Sequence, residues 1–209
     1  TTVAQTSITR AFTTGKASNP TTFTAVTGLK YGDTGSMVTV GSKQGTPYYA
    51  VGTELTSSNY SSSGSTTIPT ASSRNAGSYT IYYYIPATDN YNAKNGSVSV
   101  SIAKVACKLS VTNGSMNTGS TMTLSTRASG NTGSLSYALK SGGNNTTTAS
   151  TISNGVLTAG AMSSSNDTAQ TVDVQITEAA STNYNSCTKD VIITVNKNTR
   201  TLAWNSSTP

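Results

Sequence analysis

Histidine is absent from all 209 residues, which removes the commonest general base, metal ligand and proton shuttle near neutral pH. Acids are scarce as well. The seven (Asp33, Glu54, Asp89, Asp167, Asp173, Glu178, Asp190) form no Asp-x-Asp pair and no EF-hand spacing. Phosphate-binding, dinucleotide-binding and nucleophile-elbow motifs are missing. The sequence therefore gives no reason to expect catalysis, a metal or a cofactor. Charged residues make up only 10% of the chain, and Leu, Glu and Lys are too sparse to build long amphipathic helices. No apolar run approaches the roughly 20 residues of a membrane span, and no signal peptide opens the chain. Thr1 begins in mid-theme, so the expectation is a segment of a longer secreted protein, without membrane insertion of its own.

A formal charge of +6 and a pI near 9.3 raise the question of nucleic acid. The 13 basic residues are scattered singly, with no two adjacent. Nucleic-acid binders gather Lys and Arg on one face or stripe, so no nucleic-acid partner is expected.

What is present is a stretch stated twice. GSYTIYYYIPATDNYNAKNGSVSVSIAK runs from Gly77 to Lys104, and QTVDVQITEAASTNYNSCTKDVIITVNK from Gln170 to Lys197. The two align without a gap at an offset of 93 residues, so Asn90-Tyr91-Asn92 falls on Asn183-Tyr184-Asn185. Each copy reads as a strand, a corner and a second strand. Tyr79, Ile81, Tyr83 and Ile85 share one face of the first, because side chains alternate at period two. Val172, Val174 and Ile176 repeat that face, and Val98, Val100, Ile102 match Val191, Ile193, Val195 in the closing strands. A repeat of this length predicts two domains near the size of a seven-strand sandwich. Hydrophobic content of 34% suffices when strands bury alternate residues.

In the first domain, residues 1–104, short strands are expected at Thr21–Val26, Ser36–Val40 and Pro47–Val51. A Ser/Gly-rich loop, Ser57–Ser65, follows them. The Tyr31-Gly32-Asp33 turn and the Asn75-Ala76-Gly77 turn supply residues that tolerate positive φ. The second domain, residues 105–197, is expected to run through Cys107–Val111, Ser120–Thr126, Ser134–Leu139, Ala149–Ile152, Val156–Thr158, Thr168–Ile176 and Thr188–Val195. Ser153-Asn154-Gly155 is a strong hairpin signal. Only Lys104-Val105-Ala106 lies between the domains, which points to a stiff, end-to-end rod. Residues 198–209 resemble residues 1–12 in pattern and read as the first strand of a truncated third repeat.

Two stretches resemble the bacterial immunoglobulin-like (Big) repeats of surface proteins and adhesins. One is Asn75–Tyr83 with Asp89-Asn90-Tyr91-Asn92 and the Val98–Lys104 strand; the other is the Ile152–Ala159 hairpin. The resemblance implies all-β, tandem immunoglobulin-like sandwiches in an extracellular array, on a bacterial cell surface or secreted. It implies a monomeric, non-catalytic segment that neighbours further repeats and spaces a distal binder from the cell. The alternative is that these domains themselves bind a host protein, such as an immunoglobulin or matrix component, or a glycan.

Four features carry specific expectations. Cys107 and Cys187 open the first and last strands of one domain and suggest an intradomain disulfide, the alternative being two buried thiols. Tyr91 and Tyr184 resemble a tyrosine corner, a buried ring whose hydroxyl bonds nearby backbone. Tyr82 and Tyr84 point away from the core face, where the second domain has Gln175 and Thr177. Exposed aromatics need either a partner surface or a covering loop such as Ser57–Ser65, which makes Tyr82 and Tyr84 the candidate binding residues. Lys108, Glu178 and Asn196 are the residue types of an isopeptide cross-link, but Asn196 alternates with Val195 and should face outward.

Overall fold

The computed structural model describes residues 9–124, 130–146, 148–162 and 169–198. The described chain is strand and loop apart from one helical turn, and it divides into two compact units, Thr1–Ala103 and Lys104–Pro209. The expected third-repeat strand and most of its counterpart at the start of the chain lie outside the described residues.

In the first unit, β1 (Thr22–Ala25) and β2 (Val38–Gly41) form an antiparallel pair. The second sheet is β3 (Tyr48–Val51), β4 (Gly77–Ile85) and β5 (Lys94–Ile102), with β4 in the middle. Between β3 and β4 the predicted loop contains a single helical turn, α1 (Tyr60–Ser63). After β1 the chain turns at Tyr31-Gly32, where Lys30 and Asp33 exchange backbone and side-chain hydrogen bonds. Lys30 also bridges Ala103 in parallel. One N-terminal segment thus pairs with both sheets in turn. Leu29, Met37, Val38, Tyr49, Ile81, Val100 and Ile102 fill the space between the sheets, and Phe23 stacks on Tyr83 at 3.7 Å. Tyr79, Ile81 and Tyr83 all pack on this core, as alternation requires.

The second unit has a four-stranded sheet in the order β6 (Gly114–Asn117), β12 (Cys187–Asn196), β11 (Gln170–Glu178), β8 (Leu135–Leu139). Its three-stranded partner sheet is β7 (Thr121–Thr123), β10 (Val156–Thr158) and β9 (Thr151–Ser153). The β9–β10 hairpin closes on Asn154 and Gly155 at φ of 49° and 78°. Two successive positive φ angles make the tight turn that Asn-Gly favours. Val172, Val174, Ile176, Val191, Ile193 and Val195 are each at most 1% exposed. Each unit is therefore a β-sandwich with its own core. Ile81 pairs with Val98 and Val174 with Val191, so the repeated strands keep one register as well as one pattern.

Two predicted elements differ. Cys107–Val111 is not a strand; the first strand of this unit is β6, parallel to β12 from Ile193 to Asn196. Asn113-Gly114 looks like turn sequence, but Asn113 Oδ1 accepts from the Ile192 amide at 2.9 Å, and the long-range ladder overrides local preference. The Ser57–Ser65 loop is ordered instead of open. Tyr49 and Ser65 exchange both backbone hydrogen bonds, at 2.8 and 2.9 Å, which pins α1 against the outer face of β3 and β4.

Candidate functional site

The candidate face is the side of the β3–β4–β5 sheet turned away from the main core. Tyr48 pairs with Tyr84 and Ala50 with Tyr82 across β3 and β4, so alternation gathers two rows on that side. Tyr82 is half-buried. Tyr84 is only 8% exposed, which corrects the expectation of an outward pair. Its cover comes from α1: Tyr60 stacks on Tyr84 at 4.7 Å and 18°, and meets Tyr48 edge-on at 4.8 Å. Leu55, at 1% exposure, plugs the same cluster with Ala50. Asn59 holds the approach to α1, its Oδ1 accepting from the Thr56 amide at 2.7 Å and its Nδ2 donating to the Glu54 carbonyl at 3.0 Å. The rings that remain half-buried there are Tyr48, Tyr60 and Tyr82.

The equivalent face of the second unit is polar. Gln175 Nε2 donates to Asp190 Oδ1 at 3.1 Å, Lys140 Nζ lies 2.6 Å from Asp190 Oδ2, and the Thr177 and Thr188 hydroxyls are 3.2 Å apart. The hydrogen bond from Lys140, then that from Gln175, holds the Asp190 carboxyl below the usual range. Its partner Lys140 is pushed up by the same bond.

The second place of interest is the corner that both units share. Asn90 accepts from the Ala17 amide and Asn92 donates to the Ala17 carbonyl, both at 2.9 Å. Asn183 and Asn185 do the same to Val105, again at 2.9 Å. The Asn-Tyr-Asn motif is thus a backbone clamp on the incoming chain, and Tyr91 and Tyr184 are half-buried instead of buried.

Two residues past each clamped position the copies diverge. In the first unit Lys94 Nζ donates to the Asn19 and Thr21 carbonyls at 3.2 and 2.6 Å. In the second, Cys107 and Cys187 are joined in a disulfide across a sequence separation of 80. Lys94 faces Ile85 in its ladder as Cys187 faces Glu178, so these residues occupy equivalent places. Sequence reasoning missed the Lys94 tie, whose only signal was its position opposite Cys187 in the aligned repeats. Of the isopeptide residue types, Glu178 is fully buried, Lys108 exposed and Asn196 half-buried, and they do not form one buried set.

Among solved structures, the chain is similar to a protocadherin gammaB4 extracellular domain, with 14% identity and a TM-score of 0.37, over 86% of this chain and 33% of that one. It is similar to Drosophila N-cadherin EC1-3 at 13% identity and TM-score 0.32, over 85% and 68%. Domains 4 and 5 of the S-layer protein SbsC give 13% identity and TM-score 0.32, over 84% and 97%. The chain spans about a third of the protocadherin structure it matches. No protein-family model matches the chain, and no curated protein matches it in sequence.

Proposed function

We propose that the chain is a non-catalytic, extracellular segment of a repeat array, in which successive β-sandwiches act as spacers that present a distal binding region from a bacterial cell surface. The observation that carries this reading is the duplication of the clamp. In each unit a residue of the incoming chain, Ala17 or Val105, is gripped by that unit's own Asn-Tyr-Asn corner, and Lys104 alone separates the Ala103 and Val105 ladder bonds. A unit that closes on its own N-terminal residue can be strung to the next without a linker, which suits a load-bearing array. A disulfide across 80 residues suits an oxidising compartment, and no helix among the described residues is long and apolar enough to cross a membrane. Small-angle scattering tests the spacer reading. An elongated particle is expected, and a compact globule contradicts it.

The second reading is that the first unit binds a host protein or glycan through Tyr82 and its half-buried neighbours. The contrast between a tyrosine face in one copy and a polar face in the other supports it, since Tyr anchors interfaces and stacks on sugars. The test is a glycan array together with capture from serum, using the chain and its Tyr82→Ser variant. Recovery of a partner whose affinity falls about thirtyfold with the substitution supports binding; equal capture by both removes it.

A further inference from the structure

The covalent path through the second unit is much shorter than its sequence. Val105 enters beside the start of β12, held by the Asn183 carbonyl and the Asn185 amide, and two residues later Cys107 is joined to Cys187. Cys187 is the first residue of β12, which runs extended from there to Asn196. A pull applied at Val105 and Asn196 therefore travels through the cystine and along a strand that is already straight. A strand rises about 3.4 Å per residue, close to the limit of the chain, so this path has almost no length to give. The segment between the cysteines, a sequence separation of 80 that includes β6 to β11, lies off the path and carries no load.

The first unit has the same entry and exit but no bypass. Ala17 bridges Tyr91 and Lys30 bridges Ala103, both in parallel with the chain that leads out. Pulling Ala17 back and Ala103 forward slides these segments past one another, so their hydrogen bonds are loaded together, in shear. Lys94 adds two more across the same seam, to the Asn19 and Thr21 carbonyls. Nothing covalent backs them up, and forced unfolding is governed by the barrier to opening. We propose that under tension the units play different mechanical parts: the second is an inextensible link, and the first is the element that yields and lengthens. The use of this device rests on the spacer reading, since a chain feels tension only between two anchorages. Scattering judges that reading without tension and pulling judges this one, so the two fail separately.

The test is single-molecule pulling of the whole chain between handles at its two ends. With the disulfide intact, one release of about 27 nm is expected from the first unit, and none above about 2 nm from the second. Lys94→Met should lower the force of that release, or abolish it, while the fully drawn length stays the same; this assigns the release to the first unit. Adding a phosphine to the same tethers should lengthen the drawn chain by a further ~27 nm. That gain is expected whether the reduced second unit opens with a force peak or has already unfolded. Cys107→Ala with Cys187→Ala should match the reduced chain in the absence of reductant. A second large release from the oxidised chain, a release whose force ignores Lys94→Met, or a drawn length that reduction leaves unchanged would each overturn the proposal.

Discussion

The two corners solve one problem with different chemistry. In both units an Asn-Tyr-Asn clamp holds the entering chain by two backbone hydrogen bonds, and the residue three past the tyrosine ties down the next stretch. Lys94 does so with an ammonium shared between two carbonyls; Cys187 does so with a covalent bond to Cys107. Hydrogen bonds from a charged donor are worth about 1.5–3 kcal/mol where they form. A cross-link closing a loop of this length removes about 4 kcal/mol of unfolded-chain entropy. The fold thus demands that the corner be tied but not how. The outer faces teach a similar lesson, since a tyrosine cluster under a helical turn and a polar network occupy equivalent ground.

Breaking the disulfide should have the largest effect. Cys107→Ala with Cys187→Ala is expected to cost about 4 kcal/mol, less any loss of strain, and to fall on the second unit alone. Most of the eleven tyrosines belong to the first unit, so tyrosine fluorescence follows that unit, and its denaturant midpoint should not move. A shift in both midpoints would show that the units do not unfold independently.

Removing the cover from the tyrosine face ranks next. Tyr60→Ala deletes one stacked and one edge-on ring contact and should cost the first unit about 2 kcal/mol, with a rise in exposure of Tyr84 to quenchers. Unchanged stability would mean that α1 lies on the face without holding it. Lys94→Met keeps the aliphatic stem and removes the ammonium, with an expected loss of about 1.5 kcal/mol from the first unit only.

How much of this was legible in sequence depends on where each element finds its partners. The inner faces of β4, β5, β11 and β12 were readable because alternate apolar residues answer to one core. The expected Cys107–Cys187 pairing is present. β6 was not readable, since its pairing is parallel and lies about 80 residues away in β12. The cover over Tyr84 was legible as a need, and Ser57–Ser65 as the segment to meet it, but not the Tyr60 stack that meets it. Lys94 falls on Cys187 in the ungapped repeat, but the equivalence of their partners, Asn19 and Cys107, was hidden by spacing. Ala17 and Val105 are 88 residues apart while Tyr91 and Tyr184 are 93 apart, so the ungapped repeat fails before it reaches the clamp.

The smallest expected effect concerns the polar face. The folded Asp190 titrates below its ordinary range, so its contribution is present above that range and is lost as pH falls through the folded value. Lys140 is raised, so its part is present below the ordinary lysine value and lost as pH rises through the folded one. Both charges are exposed to solvent. Lys140→Met should therefore lower the second unit's melting temperature only slightly at neutral pH and low salt, and not at all in acid or high salt.

The equivalence of the corners is tested most directly by moving the disulfide. Asn19→Cys with Lys94→Cys places thiols where the second unit carries Cys107 and Cys187. The account predicts that this chain, expressed under oxidising conditions, forms a second disulfide. Unfolded without reductant it should take up no alkylating agent, and peptide mass mapping should join residues 19 and 94. Uptake of two alkyl groups at those residues would contradict the claim that the two units tie one corner in one geometry.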